Sequence, residues 1–178
     1  MPIIMPSPRT DIEPQIDDGA FIAPTAVIIG DVIIEEGANI WFGVVARGDW
    51  GTISIGKNTS VQENVVIHVT VKTKVDIGSD CIIGHSSIIH GPCTIGDGCL
   101  VGMGAQVLHN SKLGDGSLLA AGAVLVNKEI PPNSMVVGIP AEVKKKIPRR
   151  GNLGTAEYAK NGQFFKEYFE KHPEYTKY

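Results

Sequence analysis

Every sixth residue from Ile77 onward is a branched aliphatic: Ile77, Ile83, Ile89, Ile95, Val101, Val107, Leu113, Leu119 and Leu125. Two places before each stands a residue that is small in nearly every case: Val75, Cys81, Ser87, Cys93, Cys99, Ala105, Ser111, Ser117 and Ala123. Glycine often follows the aliphatic, as at Gly78, Gly84, Gly96, Gly102 and Gly114. An earlier run keeps the same step through Ile22, Ile28, Ile34, Ile40 and Ala46, and a third comprises Ile55, Val61 and Ile67. Such spacing fits neither a helix nor a plain hairpin. Positions two apart on a strand share a face, so the small and aliphatic residues both point inward. The pattern predicts a mainly β protein, a parallel β-helix with three short strands to each turn and rungs stacked ~4.8 Å apart.

The step slips twice. After Ala46 the next aliphatic is Ile55, three places late, and after Ile67 it is Ile77, four places late. Two loops should therefore protrude from one corner, around Gly48-Asp49-Trp50-Gly51 and around Thr70-Val71-Lys72-Thr73-Lys74. Correcting for them stacks Ala46, Ile67, Ile89 and Val107 inward and places Arg47, His68, His90 and Leu108 outside. His68 and His90 fall on adjacent rungs, where two imidazoles can converge on a cation about 2.0–2.1 Å from each nitrogen. The next column stacks Val61, Ile83, Val101 and Leu119, which sets Gln62 beside Gly84 and Glu63 beside His85. His85 and His90 straddle a bend and cannot easily serve one ion within a single prism. Three prisms with parallel axes would bring His85 of one to the His68–His90 pair of the next, so the register predicts a homotrimer.

With 16 Lys plus Arg against 19 Asp plus Glu, the 178-residue chain carries a formal charge of −3. That balance argues against nucleic acid or an anionic membrane as the main partner. No basic segment followed by an apolar stretch opens the chain, and the longest near-apolar run, Leu118 to Val126, is too short to span a bilayer. A cytoplasmic setting is the expectation. Cys81, Cys93 and Cys99 are few, odd in number and confined to the small-residue column, which reads as core filler rather than a disulfide scaffold. The organisation expected is an N-terminal segment over 1–18, the β-helix over 19–143 and a tail over 144–178. In the tail Phe164, Phe165, Tyr168 and Phe169 predict an amphipathic helix packed on a prism face. His109 and His172 read as ordinary surface histidines, and Arg47-Gly48-Asp49 as a chance adhesion tripeptide. Val101-Gly102-Met103-Gly104 is too short for a dinucleotide loop.

Arg47-Gly48-Asp49, the run Val61-Gln62-Glu63-Asn64-Val65-Val66-Ile67-His68, Ile83-Gly84-His85, Ile89-His90-Gly91 and the closing Gly138-Ile139-Pro140-Ala141 together resemble the gamma-class carbonic anhydrases. These belong to the hexapeptide-repeat family, whose β-helix is left-handed and usually trimeric. The resemblance implies a metal held by His68 and His90 of one subunit and His85 of the next. It also implies that Arg47 and Glu63 join across the interface, that Asp49 supports the trimer, and that Gln62 and Asn64 lie near a metal-bound water. Three imidazoles with an open fourth position are a catalytic arrangement, and such a metal brings the pKa of bound water to about 7. The reaction implied is reversible hydration of CO2 to bicarbonate, with Zn2+ as the cofactor and Fe2+ or Co2+ acceptable to the same ligands. Two features depart from the family pattern. Glu63 stands where Asp is common, and the loops are short, with Lys72 and Lys74 rather than proton-carrying acids. Tyr158 and Asn161 are the nearest matches to the Tyr that the family's helix presents to the site, although plain packing is the expectation for both. A non-catalytic metal- or ligand-binding accessory trimer, or a CoA-dependent acyltransferase or thioesterase of the same fold, are the alternatives.

Overall fold

The computed structural model describes residues 1–148 and 153–176; the rest of the 144–178 tail lies outside the described residues. Strands of two or three residues, such as Ile82–Ile83 and Ile88–His90, cannot bury a core alone. Each gains it because the chain returns one turn later with the same small and aliphatic pair. One wall stacks Phe21–Ile22, Asn39–Ile40, Ser60–Val61, Ile82–Ile83, Leu100–Val101, Leu118–Leu119 and Ser134–Val137 in parallel, and Glu142–Lys146 adds antiparallel at its edge. A second wall carries Val66–His68, Ile88–His90, Gln106–Val107 and Val124–Leu125; a third carries Lys74–Ile77, Cys93–Ile95, Ser111–Leu113 and Glu129–Ile130. The parallel β-helix expected from the six-residue step is the fold observed.

The tube is filled as the spacing requires. Ile67, Ile83, Ile89, Val101, Leu113 and Leu119 are fully buried, and Cys81, Ser87, Cys99, Ala105 and Ser117 occupy the narrow positions beside them. Buried hydroxyls there donate to wall carbonyls: Ser87 to Gly84 at 2.6 Å and Ser117 to Pro131 at 3.1 Å. All three cysteines are buried free thiols; burial pushes Cys93 up to about 12, and contact with Cys99 followed by burial pushes Cys81 up. Ile89→Ala should leave a void in a closely packed tube, with a stability loss of about 2–5 kcal/mol in chemical denaturation.

Two local expectations are revised. The first insertion does not leave the wall as a loop: Val45–Ile55 is one continuous strand that joins the second and third walls. It stays extended because Val27–Ile34 follows it along both sides of a register shift, with Gly30 opposite Gly48 and Val32 opposite Ile53. The second insertion is a turn laid against the first, with Lys72 N–H donating to the Trp50 carbonyl at 2.8 Å and Thr52 N–H to that of Thr73 at 3.1 Å. Gly51 makes this contact possible, since a Cβ there would lie 2.3 Å from the Thr73 carbonyl oxygen. Residues of the 1–18 segment also join the wall, with Ile3–Met5 and Gln15–Ile16 pairing in parallel with Val27–Ile34.

The tail forms the predicted helix, Thr155–Lys171, against the wall containing Phe21 and Trp41. Its packed stripe is Tyr158, Gly162, Phe165 and Phe169, whereas Phe164 and Tyr168 face solvent. Gly162 sets the close approach, because a Cβ there would stand 3.0 Å from Cβ of Phe21. No helix among the described residues is long and apolar enough to cross a membrane.

Candidate metal centre

Register alone places the candidate histidines. Ala46, Ile67 and Ile89 stack inward, so Arg47, His68 and His90 form one outward column on three successive rungs. Nδ1 of His68 lies 3.3 Å from Nε2 of His90, with the rings steeply inclined at 64°. Two nitrogens bound to one tetrahedral ion at 2.0–2.1 Å would be about 3.3–3.4 Å apart. The spacing of the pair is thus that of two ligands of one divalent ion. Asp49 backs it: its Oδ1 is 3.4 Å from Nε2 of His68, an ion-pair distance, although that nitrogen is buried without an aligned hydrogen bond. A carboxylate on one ring nitrogen with the other turned to the ion is the usual support of a metal-binding imidazole. Burial, then Arg47, then His90 lower the His68 pKa against the opposing pull of Asp49, a shift that favours the neutral ring.

Arg47 is turned to Asp49 within the chain, its Nη1 meeting both carboxylate oxygens at 2.9 and 2.8 Å. Glu63 is turned to His85, whose Nδ1 lies 2.7 Å from Oε2. The longer Glu arm thus reaches the histidine one rung away and leaves Nε2 of that ring free of it. Among the described residues no group of three or more His, Cys, Asp or Glu side chains could hold a metal ion. One chain brings together two of the three predicted imidazoles and holds the third apart on its own carboxylate.

Gln62 is buried, and its amide nitrogen donates to the Tyr158 hydroxyl at 2.9 Å. The sequence names Tyr158 and Asn161 alike as matches to a site-facing Tyr and expects plain packing of both; the contact with Gln62 depends on where the helix docks, 96 residues away along the chain. Asn64 is exposed at a corner with a left-handed φ of 62°, a conformation that Asn tolerates. Asn161 is exposed. Asp49, expected to support an assembly, is buried against Arg47 and His68.

The family described as bacterial transferase hexapeptide (six repeats) matches residues 74–107 and 92–127. A carbonic anhydrase of Geobacillus kaustophilus is 34% identical over 157 residues, covering 86% of each chain. The mitochondrial gamma carbonic anhydrase 2 of Arabidopsis thaliana is 44% identical over 92 residues, 48% of this chain, and the match spans only 32% of that longer relative. Two solved structures share the fold along nearly the whole chain. A hexapeptide transferase family protein from Anaplasma phagocytophilum has a TM-score of 0.81 at 35% identity, covering 94% of this chain and 98% of that one. A Bacillus cereus protein provisionally described as an acetyltransferase has a TM-score of 0.79 at 32% identity, covering 98% of this chain and 97% of that one. With the repeat, the stacked histidines and these relatives in agreement, the chain belongs to the hexapeptide-repeat family and, within it, to the gamma carbonic anhydrase-like proteins.

Proposed function

We propose that the protein is a homotrimer that hydrates CO2 reversibly to bicarbonate, with a metal ion held between subunits by His68 and His90 of one and His85 of the next. The observation that carries this reading is the 3.3 Å approach of the His68 and His90 nitrogens, a pair to which the described residues of the same chain add no third ligand. A bound divalent ion would supply a nucleophile at neutral pH by bringing the pKa of a coordinated water to about 7. The chain's own residues do the rest. Asp49 and Glu63 orient His68 and His85. The Gln62 amide, anchored by Tyr158, keeps its oxygen to accept a hydrogen bond from the attacking water or from bicarbonate. Val66 and Ile88 stand outward on the wall of His68 and His90, 42% and 39% exposed, and offer an apolar strip to a neighbouring copy.

The imidazole set suits zinc, ferrous iron or cobalt. Elemental analysis of anaerobically purified protein, paired with stopped-flow CO2 hydration, tests the reading. The expected result is one ion per subunit and a rate above buffer that chelation abolishes; metal-free protein with no gain on adding zinc or iron overturns it. Glu63→Gln, which keeps shape but loses charge against His85, should weaken metal binding about 10–100-fold in a competition titration. The Bacillus cereus relative provisionally described as an acetyltransferase favours one second reading, acyl transfer from coenzyme A. Acetyl-CoA turnover that survives chelation would support it.

A further inference from the structure

The strand segment Asp49–Thr52 has three more residues than the stretch of Val27–Ile34 beside it, and something must hold the excess in place. Below it lies the turn of the second insertion. Above it lies a part of the chain that the sequence marks only as an N-terminal lead. Ser7 is completely buried, an uncommon state for a serine. Its hydroxyl donates to the Asp49 carbonyl at 3.4 Å and accepts the Arg9 N–H at 3.2 Å. Around it residues 7–12 close into a tight turn, with Ser7 N–H donating to the Ile12 carbonyl and Asp11 N–H to that of Ser7, both at 2.9 Å. The Arg9 guanidinium then lies over the Trp50 ring, 4.6 Å from its centroid, a cation–π distance.

Two adjacent residues of the insertion are thus gripped from the same turn, Asp49 by its carbonyl and Trp50 by its ring. Asp49 cannot shift without moving its carboxylate, which meets Arg47 on one side and Nε2 of His68 on the other. We infer that Ser7 and Arg9 are positioning residues for Asp49 and, through it, for His68. The turn clamps the inserted segment so that the carboxylate stays behind the imidazole while the other ring nitrogen faces His90. The inference rests on the metal reading of His68.

The test uses full-length protein loaded with cobalt(II), whose visible absorption reports both affinity and coordination geometry. Arg9→Ala and Ser7→Ala should each weaken cobalt binding about 3–10-fold, less than the about 10–100-fold expected for a direct partner of a ligand, and should alter the absorption bands. Arg9→Lys, which keeps a cation over Trp50, should recover most of the affinity. Hydrogen exchange of the peptide covering residues 48–52 should quicken in the two alanine variants. Variants that melt earlier but bind cobalt with unchanged affinity and spectrum show a merely structural turn and overturn the inference. A wild type that takes up no cobalt overturns the metal reading instead. In that case unchanged exchange over residues 48–52 in Arg9→Ala also removes the clamp, and quickened exchange keeps it as a device for holding Asp49.

Discussion

His90→Ala should empty the site and lower CO2 hydration by more than about 100-fold, beyond the loss expected from removing an outer partner of a ligand. His90 supplies one of the two nitrogens that meet at 3.3 Å. Without it the site keeps His68, with Asp49 behind its far nitrogen, and only the single His85 offered by the next subunit, and two imidazoles hold a divalent ion far more weakly than three. The fold should survive, because the strand is held by Ile89 in the tube and by backbone pairing to Val66–His68 and Gln106–Val107. Circular dichroism and the melting midpoint should therefore stay close to wild type while metal content and rate collapse together. His109→Ala, at an exposed position two residues beyond the buried Val107, is the control and should change neither. A His90→Ala protein that keeps both metal and rate would remove the basis of the enzymatic reading.

The column of Arg47, His68 and His90 was legible in the sequence because a parallel solenoid has a single register. Once the two slips are counted, each outward residue has one neighbour above and one below. Glu63 beside His85 was legible for the same reason, and the structure closes that neighbourhood into a 2.7 Å contact. Arg47 with Asp49 follows from strand geometry, since positions two apart on a strand share a face, but the three-place slip predicts a loop there and so conceals the pair. That segment is a strand because a partner strand tracks it across a shift, and such pairing leaves no trace in local periodicity. Tyr158 was legible only as a family match shared with Asn161, and its contact with Gln62 was not. Its place is set by Gly162 closing on Phe21 and by Phe165 and Phe169 packing around Trp41 and Phe42, so it follows from docking rather than from spacing. Ser7 against Asp49 is a contact across 42 residues with no motif at either end.

The strongest consequence of the separated histidines is that two inactive proteins should repair each other. His85→Ala keeps the His68–His90 pair but has no third imidazole to give, whereas His90→Ala keeps His85 but has lost its pair. If each site takes its pair from one subunit and its third ligand from the next, co-expression of the two in equal amounts rebuilds some sites. Under random assembly each site has about one chance in two of a whole pair and about one in two of a whole donor, so about a quarter of the wild-type activity and metal content should return. Each variant alone should show almost none. The geometry leaves no other route to this result, because within one chain His85 is bound to Glu63 and no three-ligand cluster exists among the described residues. Were all three ligands to come from one subunit, every chain in the mixture would lack a ligand and no site could be whole. Native mass spectrometry of the same sample shows whether mixed trimers formed; mixed trimers without recovered metal or rate would defeat the shared site, and a monomeric chain would defeat the assembly on which it depends.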